Sequence, residues 1–521
     1  MSNNDQDNNA TDDPKGNDRS RRWRSMWRVH FYAGLFAFPF ILLMATTGLV
    51  ILYTQPLQDL TQDHLRTVPA STKTVSYDSQ ARTVEKEFPG STITSFVVAN
   101  DTTHATIFHI DDKTASGRDV FVNPHNAALL GSTKTGSGIV GLANRLHGYL
   151  NEKSLRLSLP TVSAIWDQGK ILRPYIVGDL LLELLGVWTL VLVMSGLVLW
   201  WPRRTRTPTK TSTAVDSLPT IDKPAMAGTR PPRRFGIRRG VKGRARWRDR
   251  HATGGVVLFS AMVLTIISGL GWSTYWGPNF TALANQVSPN AWTDTPPSPL
   301  GTRADLDRFG NQLPWNTADL GLPASYAPTD RTKPAPLSLD TVVRIAKQER
   351  LLPGYQVSLP TNITDAKTKI TTYGSFTLTN SWPRKTSEAR TVFLDQFTGQ
   401  TNGGMNVYGY GTISKSMDTL VSVHMGTQFG WFTRALMTLL CVLAMWSVLS
   451  ATVMYTKRRR PGTLGLPRRP VDVRLARRIA AITATMAFVF PVWGLSAAAI
   501  LGLDRYIIRR KPRLRHTFGQ R

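Results

Sequence analysis

Four stretches of the chain stay apolar long enough to cross a bilayer. Residues 31–53, 178–201, 252–276 and 432–455 carry few charges over their whole length. About 20 such residues span roughly 30 Å of hydrocarbon as a helix. The pattern predicts transmembrane segments at 26–55, 178–201, 251–277 and 421–456. The first is too long for the apolar core of a secretory signal, and "LYTQPLQDL" after it is a poor small-residue cleavage site, so it reads as a retained helix. A fifth apolar run, 479–507, is interrupted by Pro491 and Gly494 and has basic residues on both flanks. It reads as a hydrophobic hairpin of two half-length helices or a fifth helix. The hairpin fits better, because a single crossing would separate "RRKPRLRH" from the other basic clusters.

The polar segments between the spans follow different periods. Segment 56–177 contains "SYDSQARTVEKEFPGSTITSFVV" and then "DVFVNPHNAALLGS"; segment 278–420 contains "SLDTVVRIAKQERLLPGYQVSLP" and then "TVFLDQFTGQTNG". Each opens on a Ser-Tyr/Leu-Asp helix-start signal, runs at helical period to a Pro-Gly turn, and then alternates β-branched and aromatic residues with polar ones. This predicts two small α+β modules. Residues 278–336, rich in Pro, Trp and Asn, read as an irregular connection. The return helices also match, "LVMSGLVLWWPRR" (192–204) against "SVLSATVMYTKRR" (447–459). The expected fold is a membrane α-helical bundle with an internal two-fold repeat of helix, module, helix.

Charge orients this plan. The formal net charge is +29. It concentrates in the N-terminus 1–25, read as disordered, in the 202–250 linker, in the 457–478 loop and in the 508–521 tail. The positive-inside rule places these in the cytoplasm and both modules outside the cytoplasmic membrane. Beside membrane helices, basic clusters signify topology and contact with anionic lipid, not nucleic acid. The single cysteine, Cys441, lies inside the fourth span, so the modules have no disulfides. There is no C-x-x-C-H motif and no cysteine cluster, so any haem is held non-covalently and no iron–sulfur centre is expected.

Four of the nine histidines follow the two-fold plan. His30 and His251 stand at the inner ends of the first and third spans. His424 opens the fourth span on the outer side, and His147, ahead of the second span, folds back onto the outer surface. One such ring is an ordinary interfacial residue; four in a repeated pattern point to function. Small residues follow each one, Gly34, Gly148, Gly254 with Gly255, and Gly426, leaving room for a flat macrocycle or a close helix. Two imidazoles facing each other across an iron make a bis-histidine b-type haem suited to electron transfer. Zinc would require four ligands. His30 precedes Gly48, and His251 precedes Gly269, by about 18 residues, a helical rise of about 27 Å. Two haems at these depths would be the ends of an electron wire.

The remaining histidines, His64, His104, His109, His125 and His516, have ordinary structural explanations. Met26, Met194, Met425 and Met437 are available thioethers but also ordinary helix fillers. Glu183, inside the second span, is either a proton- or quinone-exchanging group or a polar contact in the bundle. Trp188, Trp200, Trp201, Trp272 and Trp276 read as an interfacial belt.

The runs "GDLLLELLGVWTLVLVMSGLVLWWPRR", "WRDRHATGG" and "VHMGTQFGWFTRALM", with "YTKRRRPGTLGLP", resemble the PepSY-associated transmembrane family over about residues 22–508. The modules resemble PepSY domains, "VFLDQFTG" being close to their closing strand and turn. The resemblance implies a bacterial inner-membrane protein with two b-type haems on His30, His251, His147 and His424. It also implies reduction of ferric siderophores or other ferric chelates outside. Two departures stand out: "NPHNA" lacks the usual Thr-Gly of the closing turn, and Ala451 stands where the other three spans have Gly. On this reading His30 and His251 form the donor-side centre and His147 and His424 the acceptor-side centre. No nucleotide or flavin fingerprint is present, so the electron donor is a cytoplasmic reductase or quinol. The rival expectations are a non-redox scaffold or permease subunit presenting the modules, and a haem electron-transfer protein with a protein acceptor.

Overall fold

The computed structural model describes residues 14–113, 117–161, 171–201, 242–287, 298–302, 305–306, 320–326, 335–380, 385–409, 411–459, 464–466 and 473–518. Most of the 202–250 linker and much of the 278–336 connection lie outside the described residues. The helices in chain order are α1 (Pro14–Leu52), α2 (Thr54–Thr61), α3 (Asp63–Arg66), α4 (Tyr77–Glu87), α5 (Gly138–Tyr149), α6 (Val177–Trp200) and α7 (Gly243–Leu270). They continue with α8 (Trp276–Val287), α9 (Leu339–Gln348), α10 (Thr412–His424), α11 (Trp431–Thr456), α12 (Val473–Val489), α13 (Pro491–Leu503) and α14 (Pro512–Thr517). Four of these, α1, α6, α7 and α11, are long and apolar enough to cross a membrane. They expose large apolar side chains such as Leu35, Val198, Val257 and Leu439, as a lipid-facing surface does. The chain divides into two compact units. One is formed by 1–42, 185–263 and 443–521, the other by 43–184 and 264–442.

Several boundaries differ from the sequence reading. Helix α1 begins at Pro14, so the second half of the expected disordered N-terminus is helical; its Arg-rich sequence forms helix readily once an apolar span nucleates it. Helix α7 begins before His251, which lies within the helix and not at its start. The fourth span starts at Trp431 instead of 421, because Gly426 (φ 71°) and Gly430 (φ 62°) form a left-handed turn between α10 and α11. A Cβ on Gly426 would come within 2.7 Å of the Leu52 side chain and 3.2 Å of the Arg434 backbone. His424 therefore closes α10 and does not open the span. The expected irregular connection contains α8. Trp188 is no interfacial residue: it is buried, stacked on Phe36 and packed against Trp493.

The 479–507 run forms two helices. Pro491 has no N–H to continue α12, the chain breaks at Phe490 (φ −125°, ψ 80°), and α13 bends back until Gly494 rests on Ala487. The tail then meets both flanks of the unit: Leu464 N–H donates to the Thr517 carbonyl at 3.1 Å, and the Arg28 guanidinium donates to the Phe518 carbonyl at 3.2 Å.

The expected two modules share one sheet. Strands β1 (Thr92–Val97), β2 (Thr106–Asp111), β3 (Arg118–Val122) and β4 (Leu129–Lys134) form one meander. After the small hairpin β5 (Arg156–Pro160) and β6 (Leu172–Ile176) comes β7 (Gln356–Ser358), then a second small pair, β8 (Ile363–Thr364) and β9 (Thr371–Thr372). Strands β10 (Ser375–Thr379), β11 (Arg390–Asp395) and β12 (Thr401–Asn406) complete an 8-stranded sheet of order β12-β11-β10-β7-β1-β2-β3-β4. The join is antiparallel, with Phe96 opposite Val357. One apolar core serves both halves: Phe96, Phe108 and Val84 from the first pack with Val342, Leu378 and Leu394 from the second. Each such side chain contributes about 1.5–3 kcal/mol by burial.

The two module helices cap each other. Ser76 and Ser338 accept the N–H groups of Ser79 and Thr341 as ordinary N-caps. The acids two residues on are exchanged: Asp340 accepts the Tyr77 N–H at 3.0 Å, and Asp78 accepts the Leu339 N–H at 3.0 Å. Burial, with the Asp340 carboxyl beside it, pushes Asp78 above the ordinary carboxylate range. A carboxyl whose affinity for a proton is raised by folding stabilises most below its unfolded range and loses that contribution as pH rises through its folded value. Asp340→Asn keeps an acceptor and removes the charge, so the melting temperature of the detergent-solubilised chain should depend less on pH between about 4 and 7. Asp340→Ala should lower stability by about 1 kcal/mol at either pH, because the Tyr77 N–H is orphaned. Thermal unfolding followed by circular dichroism reads both.

Candidate functional site

The four histidines singled out by the sequence form two facing pairs. His30 on α1 and His251 on α7 stand with ring centres 6.4 Å apart and planes at 74°. His147, in the last turn of α5, and His424, at the end of α10, stand 6.3 Å apart at 72°. The two pairs lie in different compact units. In each, one ring comes from each half of the chain.

Every ring is held by its Nδ1. His30 Nδ1 lies 3.0 Å from the Leu192 carbonyl and 3.1 Å from Ser195 Oγ. His251 Nδ1 lies 3.2 Å from the Ser447 carbonyl and 3.0 Å from Ser450 Oγ. His424 Nδ1 lies 2.8 Å from Ser268 Oγ, and His147 Nδ1 lies 2.9 Å from Thr47 Oγ1. In all four cases the hydroxyl hydrogen is directed at a carbonyl of its own helix: Ser195 to Leu192, Ser450 to Ser447, Ser268 to Thr265 and Thr47 to Leu43. An oxygen whose only hydrogen is used in this way can only accept. With the hydroxyls donating to those carbonyls, the imidazole donates from Nδ1 and its Nε2 carries the lone pair; the Leu192 and Ser447 carbonyls, which can only accept, ask the same of His30 and His251. This is the tautomer a metal-binding histidine needs, imposed by a partner outside the ligand set.

The rings also have room. A Cβ on Gly196 would stand 3.1 Å from His30 Cε1, one on Gly48 3.6 Å from His147 Cε1, and one on Gly269 3.9 Å from His424 Cε1. Each of these glycines follows the hydroxyl residue that holds the ring; after Ser450 the position is Ala451. The recurring pairs in "TTGLV", "MSGLV", "ISGLG" and "LSATV" are therefore the imidazole holders. From the sequence alone these pairs are only register marks and packing sites. The glycines that follow the histidines are not the ones beside the rings: Gly254 and Gly255 face open space and Gly34 meets Leu192.

Outside the spanning segments, burial pushes His147 and His424 down to about 4, the facing His424 adding to the effect on His147. Both rings are neutral at physiological pH, as a ligand must be. Two rings bound to one iron at about 2 Å per bond, with about 1 Å from each nitrogen to its ring centre, would stand about 6 Å apart. Both pairs have that separation, so the residues fit an iron held between two histidines. Among the described residues no group of three or more His, Cys, Asp or Glu forms, so a four-ligand zinc site has no counterpart.

The other histidines serve local structure. His109 Nδ1 meets Asp119 at 2.8 Å across β2 and β3, and His104 Nδ1 meets Asp101 at 2.7 Å. Hydrogen bonds from Thr103 and His104 hold Asp101 down to about 2. His125 bridges the Lys73 and Thr102 carbonyls at 2.7 and 2.9 Å. His64 lies in α3 and His516 in α14.

Comparison with protein families matches residues 27–458 to the PepSY-associated TM region. The match takes in all four histidines, their hydroxyl partners and the complete 8-stranded sheet. No curated protein matches the chain. With both histidine pairs and the sheet inside a match that covers most of its length, the chain belongs to the PepSY-associated TM region family.

Proposed function

We propose that this protein is a b-type dihaem oxidoreductase of the bacterial cytoplasmic membrane that delivers electrons to a ferric chelate, a ferric siderophore above all, on the outer side. The observation that carries the reading is the pair of facing imidazole sites, each with Nδ1 engaged and Nε2 free at the separation an iron requires. The two copies of helix, module and helix then each supply one ligand to each site. The basic N-terminus and loops face the cytoplasm, and the sheet domain faces outward.

Haem held by two histidines supplies one-electron transfer with no coordination position left for substrate. The chain's own groups do the rest. Thr47, Ser195, Ser268 and Ser450 fix ring tautomer and orientation, which keeps reorganisation small when the charge at the site changes. His30 and His251 would hold the centre that receives electrons from a cytoplasmic reductase or from quinol. His147 and His424 sit on helices that follow directly from strands β4 and β12, so the acceptor-side pair belongs to the same unit as the sheet. Oxygen ligands that hold Fe(III) tightly hold Fe(II) far less well, so one electron releases the iron.

Oxidised and dithionite-reduced visible spectra of the purified protein, with pyridine-haemochrome quantitation, should show a bis-histidine b-type spectrum and about two haems per chain. Alanine at His30 or His251 should remove one haem and leave the other; alanine at His147 or His424 should do the converse. Absence of haem after supplementation during expression would refute the reading.

Ser195→Ala or Thr47→Ala should weaken haem retention at its own site by about 10- to 100-fold without removing a ligand. Gly196→Val should displace the His30 ring and empty only the donor-side site. Haem titration of the stripped variants measures both effects.

Anaerobic mixing of the reduced protein with a ferric siderophore should reoxidise the haem and yield ferrous iron, detected with a ferrous-specific chelator. A reduced spectrum that stays unchanged would eliminate direct reductase activity while leaving the haem sites intact.

A further inference from the structure

Glu183 has no place in the electron path. It sits in the second turn of α6 with 3% of its surface exposed. Its Oε2 accepts the Ser273 hydroxyl at 2.8 Å, and the Trp276 backbone N–H also serves the carboxyl. Among the described residues its Oε1 is buried without a hydrogen-bond partner. Asp179, one turn earlier on the same helix, receives the Thr274 N–H. Among the described residues neither carboxyl has an ion pair. The turn after α7 and helix α8 contain no Asp, Glu, Lys, Arg or His; their titratable group is Tyr275, packed at a tilt of 51° against Tyr175 of β6, ring centres 5.2 Å apart. At the start of α6, Gly178 packs against the carbonyls of Tyr149, the last residue of α5, and of Glu152; Lys153 and Arg156 follow in the same connection.

Glu183 is thereby tied to both supports of the acceptor-side pair. Ser268, in the last turn of α7, holds His424, and Ser273, in the turn that follows, holds Glu183. The first turn of α6 rests on the end of α5, which carries His147. A polar contact made only for structure would occupy both carboxyl oxygens; among the described residues one is left buried and without a partner. A carboxylate without a counter-charge in such a place responds more strongly than most groups to a charge arriving nearby.

We propose that Glu183 is a proton-exchange site coupled to the His147–His424 pair, with Asp179 as the relay toward the outer aqueous phase. The inference rests on the haem reading. With a one-electron haem centre held between these histidines, each electron that a donor delivered there would draw one proton from water onto the Glu183 carboxylate, forming an O–H bond at Oε1. When the ferric acceptor takes the electron, that bond breaks and the proton returns to water. The net charge of the site is the same before and after each transfer, so the electron is not trapped by uncompensated charge in a low-dielectric surround.

The test is a redox titration of the full-length, haem-loaded protein in lipid nanodiscs at several pH values between about 6 and 8. The acceptor-side wave is identified by its loss in His147→Ala. In the wild type its midpoint should fall with pH, approaching 59 mV per tenfold change in proton concentration. Glu183→Gln should flatten that slope and leave the donor-side wave unchanged, with Glu183→Asp partly restoring it. The reduced-minus-oxidised infrared spectrum should show a protonated carboxyl stretch that Glu183→Gln abolishes. A wild-type midpoint independent of pH, or an equal slope in Glu183→Gln, overturns this proposal while leaving the haem sites standing. A chain that binds no haem overturns both. Should Glu183→Gln fail to fold, the wild-type infrared spectrum decides, a missing carboxyl stretch counting against the proposal.

Discussion

The functional arrangement depends on how an imidazole is satisfied where water is absent. The ring has two nitrogens, one donor and one acceptor when neutral, and an unmatched polar atom in an apolar surround is costly. Each histidine here meets the requirement for one nitrogen only. A hydroxyl whose own hydrogen is directed at its helix backbone accepts the hydrogen bond from Nδ1–H, and Nε2 keeps its lone pair. The same bond therefore anchors the ring and selects the tautomer.

That arrangement shapes the helices that carry it. Glycine follows Thr47, Ser195 and Ser268 and leaves space beside the ring, most tightly at Gly196, where a Cβ would stand 3.1 Å from His30, while Ala451 follows Ser450. The back-bond from each hydroxyl to a carbonyl three or four residues earlier is tolerated mid-helix because it costs the helix no backbone bond. Small and hydroxylated residues are also those that let membrane helices approach closely, so one dipeptide serves both packing and site.

In the sheet domain the corresponding constraint is exposed strand edge. A four-stranded meander with one helix leaves an open edge and a half-covered apolar face. Pairing β1 with β7 closes both problems at once and brings the helix starts close enough for Asp78 and Asp340 to exchange caps. Two segments separated by more than two hundred residues become one folding unit with a single core.

Local sequence was enough to mark the four spanning helices and the starts of the two module helices. Continuous apolar runs specify spanning helices because no other backbone can satisfy itself in lipid. The Ser-Tyr-Asp and Ser-Leu-Asp signals specify helix starts, and the repeated placement of His30, His147, His251 and His424 marks the ligand candidates. Tertiary structure decided what these elements do to one another. The break after His424 depends on Gly426 fitting between Leu52 and Arg434, and the continuous sheet depends on a long-range strand register. The holders of the four rings are hydroxyls on other helices, Ser195 for His30 and Ser268 for His424 among them. A periodic pattern shows which face of a helix is apolar, but a hydrogen bond between residues more than a hundred positions apart is set by packing. No local signal carries that information.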